Sequence, residues 1–340
     1  MRRPGTSSCP LTATMRQPLL ILGTTATGKS SVAVQLARLL AQRGQPAEIV
    51  SVDSMKIYKH MDIGTNKPAP ELRALAPWHL LDIIEPHQQF TAADFVRQAD
   101  LAIRQIQARS ALPILVGGTA LYIQGLLYGF FDGPSIPHDH PIRIELNARL
   151  QAEGPEALHR ELARVDPATA QRLHPADTRR VTRALEVFQL TQMPLSQLQT
   201  QWTAQNPRQP IHIVGLRRPI QDEHARSDAR VRQMIQRGLI DEVRTLLDTA
   251  HHPEGMGRQA AAAVGYAETI LYIRNQRTLE QTVSAIQQNT RRLGKHQRTW
   301  FRQLDRRNAI RQWLDLPPEA PPQATANALL HAIDPAVDPA

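Results

Sequence analysis

The chain has 340 residues, enough for one large domain or two modest ones with an ample core. Its single cysteine, Cys9, excludes an internal disulfide framework and a cysteine-based zinc site, and no apolar run nears the ~20 residues of a membrane helix, so a cytoplasmic setting is expected. A formal charge of +9 suggests a polyanionic partner, yet the excess is almost all Arg: Lys stands only at 29, 56, 59, 67 and 295.

Residues 1–17 lack the apolar region of a signal peptide and read as a disordered leader, with Met15 as an alternative start. Leu19 to Leu22 then reads as a short buried strand. It breaks into Gly23-Thr24-Thr25-Ala26-Thr27-Gly28-Lys29-Ser30, after which apolar residues recur at helical spacing to Leu40. The octapeptide fits the phosphate-cradling pattern. Gly23 and Gly28 let successive N–H groups turn around an anion, and the helix N-terminus adds partial positive charge. Lys29 reaches phosphate oxygens and Ser30 can hold Mg²⁺. Taken alone, the loop favours ATP.

Glu48 to Val52 is a second strand, ending in Asp53-Ser54-Met55-Lys56. Open parallel sheets bind ligands at the carboxyl ends of their strands, which places Asp53 on the same edge as the loop; its other reading is a cap for the next helix. Met61 to Pro68 is a turn-rich, substrate-facing loop, and residues 80–84 read as a third strand. Thr91 caps a helix running to about Arg109, with Asp94 completing a capping box. The fourth strand, from Pro113, ends in Gly117-Gly118-Thr119, where nucleotide hydrolases commonly place a Mg²⁺-organising acid. That argues against a routine ATPase.

From residue 137 to 206 the pattern is helical and Arg-rich, a block inserted ahead of a further strand at 211–216. Arg179, Arg180 and Arg183 crowd one end of a helix, as a nucleic-acid grip or as a solvated face. Arg226 and Arg230 share a helix face. Lys295 to Arg302 interleaves basic residues with Trp300 and Phe301, fitting an RNA surface or an amphipathic helix. The Pro/Ala-rich residues 313–340 read as a loose tail.

The ordered set resembles the tRNA dimethylallyltransferases, also called tRNA isopentenyltransferases, in their bacterial form. It comprises the loop from Gly23 to Ser30, Ser51-Val52-Asp53-Ser54 with Tyr58, Met61 to Pro68, Thr91 to Phe95, Val116 to Thr119 with Tyr122, Arg183 to Val187, Val264-Gly265-Tyr266, and Lys295, Gln297, Thr299 and Trp300. The likeness spans residues 18–302. It implies an α/β fold: a P-loop NTPase-like parallel sheet domain from residues 18–136 and 207–312, with an all-helical insertion, 137–206, gripping a tRNA anticodon stem-loop.

The activity implied is transfer of a dimethylallyl group from dimethylallyl diphosphate to N6 of the adenosine 3′-adjacent to the anticodon. The substrates are tRNAs reading U-initial codons, and the enzyme is expected to act as a monomer. Under this resemblance the loop, with Lys29, Arg230, the weaker candidate Arg226 and a Ser30-held Mg²⁺, carries the diphosphate. Asp53 is the general base, and Thr119 bonds near the reacting amine. The tRNA contacts implied are Asp53, Ser54, Met55, Lys56, Thr119, Arg143, Arg179-Arg180-Val181-Thr182-Arg183, Ala261-Ala262-Ala263-Val264-Gly265-Tyr266 and Lys295-His296-Gln297-Arg298-Thr299-Trp300-Phe301-Arg302.

The chain departs from the family in His296, where Arg is frequent, and in the Ala-rich run at 260–263. With Cys9 as its one cysteine, no zinc-finger extension is expected, which suits the bacterial form. The rival readings are a small-molecule or nucleoside kinase using the same loop on ATP, and a non-catalytic RNA-binding protein.

Overall fold

The computed structural model describes residues 17–130, 133, 136, 140–199 and 207–333. The predicted leader lies outside the described residues apart from Gln17. The chain divides into two compact units, residues 1–127 with 208–340, and residues 128–207.

The larger unit runs β1 (Leu19–Leu22), α1 (Lys29–Gln42), β2 (Ala47–Val52), α2 (Pro70–Arg73), β3 (Trp78–His79), α3 (Ala92–Ala108), β4 (Leu112–Gly117) and α4 (Ala120–Tyr128). The helical unit then supplies α5 (Pro141–Glu153), α6 (Pro155–Val165), α7 (Pro167–Arg172), α8 (Thr178–Thr191) and α9 (Leu195–Leu198). The chain returns to the larger unit with β5 (His212–Arg217), α10 (Ile220–Gln236), α11 (Leu239–Leu247), α12 (Arg258–Ala261), α13 (Tyr266–Ile273), α14 (Leu279–Arg306), β6 (Gln312–Asp315) and α15 (Pro322–Ile333).

The described strands form one parallel sheet in the order β3-β2-β4-β1-β5-β6. β1, β2 and β4 are buried along their whole length, which is why they read as apolar runs rather than as alternating patterns. β1 pairs with β4 on one side, Leu19 opposite Ile114, and with β5 on the other, Leu19 opposite His212. The chain leaves β1 through α1 and reaches β2 beyond β4, so the strand order reverses around β1. Such a switch point opens a crevice at the carboxyl ends of the strands.

Two expectations are corrected. Residues 80–84 are not a strand; β3 is Trp78–His79. Leu80 and Asp82 take left-handed backbone angles, φ 60° and 54°, which end the extended run, and Ile84 makes only an isolated bridge to Tyr58. Residues 313–340 are not a loose tail throughout. Gln312–Asp315 pairs with β5, and α15 buries Ala326, Leu329, Leu330 and Ile333 in one cluster with Val32, Leu36 and Leu40 of α1. The three- and four-residue spacing of those apolar positions outweighs the Pro/Ala composition. Residues 334–340 lie outside the described set.

Within the helical unit Leu146, Leu158, Leu162, Val181, Leu185 and Val187 form a core of their own. Arg143 donates two parallel hydrogen bonds to Glu186, 2.6 and 2.8 Å.

Candidate active site at the carboxyl edge of the sheet

The loop between β1 and α1 turns through Ala26 and Gly28, whose φ values are 68° and 92°. A Cβ on Gly28 would meet nothing, so it is the left-handed backbone angle, and not space, that favours glycine there. Gly23 is a matter of space, since a Cβ there would lie 2.8 Å from the Leu216 carbonyl oxygen.

Three cations converge on this loop. Lys29 Nζ donates to the Thr24 carbonyl at 2.6 Å, Arg230 Nη2 to Thr25 Oγ1 at 2.7 Å, and the exposed Arg226 Nε to the Ala26 carbonyl at 3.2 Å. All three acceptors are neutral. Burial first, then the neighbouring charges of Lys56 and Arg230, pushes the Lys29 ammonium down to about 7. Burial and Arg226 bring the Arg230 guanidinium down to about 10. Lys56 is also lowered, again chiefly by burial, against an opposing pull from Asp53.

Asp53 stands at the end of β2, within electrostatic reach of Lys29 and Lys56. Its Oδ1 accepts the backbone N–H groups of Met55, 2.9 Å, and Lys56, 3.2 Å, which fixes the carboxylate on a turn. Its Oδ2 takes no hydrogen bond among the described residues. At the end of β4, Thr119 Oγ1 accepts the Ser54 N–H at 3.3 Å, joining the two strand ends. The adjacent Gly117 lies against β2, where a Cβ would come 2.0 Å from the Val52 carbonyl oxygen. A carboxylate two bonds further out has no room in that register.

Ser30, in the first turn of α1, is partly buried, and its hydroxyl makes no hydrogen bond among the described residues. No group of three or more His, Cys, Asp or Glu able to hold a metal occurs among the described residues. The donor set therefore fits an ion bound largely by water and phosphate oxygens with one protein hydroxyl, the habit of Mg²⁺.

Three site features were not anticipated from the sequence. Glu223 of α10, 4% exposed, accepts from Thr24 Oγ1 at 2.6 Å and also from Arg298 of α14. Its position three residues before Arg226 and seven before Arg230, on one helix face, is the signal that could have found it. Gln297 accepts the Thr25 N–H at 2.9 Å and donates to the Gly118 carbonyl at 3.0 Å. Glu242 accepts the N–H groups of Asp62, Ile63 and Gly64 at 2.9, 2.7 and 3.2 Å, and the Tyr266 hydroxyl at 2.6 Å. The Met61 to Pro68 loop is thus held from beneath, and its Lys67 is buried against Asp62 and Asp82.

The implied tRNA contacts divide by burial. Ser54, Met55 and Lys56 surround Asp53 and are partly exposed. Arg179 and Arg180 are exposed at the start of α8, whereas Val181, 1% exposed, and Thr182, 7%, face the helical unit's own core. Arg143 and Arg183 are partly exposed and bound to Glu186. Ala261, Ala262 and Val264 keep some exposure, but Ala263, Gly265 and Tyr266 are buried, the Tyr266 ring against Gly64. On α14, Lys295, His296, Thr299 and Arg302 are exposed; Gln297 and Arg298 turn inward to the loop, and Phe301 is core. The side chains of Val181, Thr182, Ala263, Tyr266 and Phe301 are thus buried in the fold.

The switch-point sheet, with loop, cations and carboxylate gathered at its carboxyl edge, places the chain among phosphate-loop-type α/β proteins. Comparison with known proteins narrows this class. The family model described as IPP transferase matches residues 56–304, and the chain belongs to that family. It is 41% identical to the tRNA dimethylallyltransferase of Geobacter sulfurreducens, over 88% of this chain and 92% of that protein. It is 42% identical to the tRNA dimethylallyltransferase of Symbiobacterium thermophilum, over 90% and 92%. Among solved structures it is similar to the tRNA isopentenylpyrophosphate transferase of Bacillus halodurans, with TM-score 0.62 and 34% identity over 94% of this chain and 97% of that one. A eukaryotic dimethylallyltransferase acting on tRNA gives TM-score 0.72 and 26% identity, over 88% and 73%. Among the described residues no helix is long and apolar enough to cross a membrane.

Proposed function

We propose that this chain transfers the dimethylallyl group of dimethylallyl diphosphate to N6 of the adenosine 3′-adjacent to the anticodon, in tRNAs reading U-initial codons. The observation that carries the reading is Asp53. Its Oδ2 takes no hydrogen bond among the described residues, and it stands within electrostatic reach of Lys29 and Lys56, whose ammonium groups form no close ion pair among those residues. An anion and a proton donor can both be served there.

The loop N–H groups, Lys29 and Arg230 hold the donor's diphosphate and absorb the charge that develops as the allylic C–O bond breaks. N6 of adenine forms the new C–N bond to that carbon, and Asp53 Oδ2 accepts the proton that N6 releases. Thr119, fixed to the Ser54 N–H, lies at the adjoining strand end and orients the amine. Ser30 would hold a Mg²⁺ ion at the loop, which when bound would supply Lewis-acid stabilisation of the leaving group. The target base has to leave its stack to reach such a site. The exposed arginines of α8 and the exposed basic face of α14 bind tRNA phosphates. A grip on an anticodon stem-loop needs only one copy of the chain, so the enzyme is read as a monomer, with a cytoplasmic location proposed alongside.

The test is incubation with tRNA and dimethylallyl diphosphate, followed by mass spectrometry of the digested RNA. Prenylated adenosine at the position after the anticodon is expected. Unmodified tRNA together with phosphoryl transfer from ATP to a small acceptor would overturn the reading in favour of a kinase.

A further inference from the structure

Gln297 and Arg298 are consecutive residues of α14; Gln297 reaches the phosphate loop directly and Arg298 reaches it through Glu223. Gln297 Oε1 accepts the Thr25 N–H at 2.9 Å, and its Nε2 donates to the Gly118 carbonyl at 3.0 Å. One amide therefore ties the end of the β1 loop to the end of β4. Arg298 bonds Glu223, whose other oxygen accepts the Thr24 hydroxyl at 2.6 Å. Thr24 and Thr25 are thus each fixed by α14, one directly and one through Glu223.

Gly118 bears on the same point. A Cβ there would lie 2.7 Å from Gln297 Nε2 and 2.8 Å from the Gly23 carbonyl oxygen. The glycine at the end of β4 leaves room for the Gln297 amide between the two strands. The residue after it, Thr119, carries the bond to Ser54 beside Asp53. Gln297 accordingly spans the diphosphate side of the site and the base side.

We infer that Gln297 is a positioning residue of the donor site, holding the phosphate loop in register with the Gly118–Thr119 strand end, and not a tRNA contact. A loop already held in its binding shape loses less entropy when the diphosphate arrives. The remaining face of α14, with Lys295, His296, Thr299 and Arg302 exposed, is left for RNA. One helix then serves both substrates, with its two faces divided between them. This inference rests on the proposed donor, dimethylallyl diphosphate.

The test uses the full chain and the near-isosteric Gln297→Met, with Gln297→Glu to separate the two bonds, since a carboxylate still accepts from Thr25 but no longer donates to Gly118. Inorganic pyrophosphate affinity is measured by calorimetry without tRNA, tRNA affinity by filter binding, and kcat and KM by prenyl transfer. Loss of two net hydrogen bonds predicts that Gln297→Met weakens pyrophosphate about tenfold, with tRNA affinity unchanged. Gln297→Glu is expected to weaken pyrophosphate too, and Lys295→Ala to weaken tRNA alone. Unchanged pyrophosphate affinity in Gln297→Met, or a loss of tRNA affinity as large as the loss for pyrophosphate, overturns the inference. Wild-type protein that binds pyrophosphate but leaves tRNA unmodified would instead defeat the proposed activity, so the two failures are distinct.

Discussion

In residues 128–207 Arg143 and Arg149 meet carboxylates, whereas at the carboxyl edge of the sheet Lys29 and Arg230 meet only neutral oxygens. Arg143 is bidentate to Glu186, a side chain 2% exposed, and Arg149 bridges Glu153 and Glu161. The Glu186 hydrogen bonds raise the Arg143 guanidinium, so pairing strengthens its charge. At the sheet edge burial and like charge lower Lys29, Lys56 and Arg230. Charges with a partner in the fold stabilise it. Charges held together without one are a cost that an incoming anion offsets, and such perturbed groups mark a site.

The contrast is open to experiment, and its sharpest test is Asp53. Asp53→Ala should lower kcat for prenyl transfer by ~10²–10⁴ while tRNA binding persists, as expected for removal of a general base. Equal loss of tRNA affinity would reassign Asp53 to binding.

Lys29→Met should cost roughly 10²–10³ in kcat, the range for losing one donor to a developing negative charge. Lys29 carries its charge below about 7 and loses it as pH rises through that value. The diphosphate needs the charged form, so kcat/KM for the donor should fall with rising pH above about 7, and Lys29→Met should lack that limb.

In the helical unit the largest effect should be on stability. Glu186→Ala leaves Arg143 without its partner and should cost about 3 kcal/mol, the low end for a buried pair because Arg143 keeps some exposure. Denaturant unfolding reads that loss, and pyrophosphate affinity should not change. The smallest effect belongs to the exposed Arg179. Arg179→Ala should leave stability within ~0.5 kcal/mol and reduce the salt slope of tRNA binding by about 1.

The legible parts of this molecule were those whose chemistry is local. The loop from Gly23 to Ser30, the Thr91–Asp94 capping box and the apolar strands all announce themselves within a dozen residues. Asp53 was placed from the rule for parallel sheets. What stayed hidden depends on distant partners. Glu223 and Gln297 are 199 and 272 residues from the loop threonines they hold; the helix face shared with Arg226 and Arg230 hints at Glu223, and nothing near Gln297 signals its contact with the loop. The Gly117-Gly118 pair was read as a missing acid, and its physical cause is space for Val52 and Gln297. Among the five lysines the loop motif marks Lys29, but nothing local separates Lys56 from Lys59 and Lys67, which are committed to Glu85, Asp62 and Asp82. The stretch at 295–302 fits an RNA surface or an amphipathic helix by sequence, and the structure gives it both an outward basic face and a face that closes on the loop.

The packing of α15 on α1 has a consequence for biosynthesis. The helix that carries Lys29 is made early, yet Leu36 and Leu40 share their cluster with Ala326, Leu329, Leu330 and Ile333. β1 likewise waits for β5 to flank it. On the ribosome these apolar surfaces emerge long before the segments that cover them, so the diphosphate cradle is assembled last although it is encoded first. Contacts of such long sequence separation slow folding and leave hydrophobic surface exposed in the meantime. Chains interrupted before α15 should therefore be retained by chaperones or degraded, even though every residue assigned to the chemistry has already been translated.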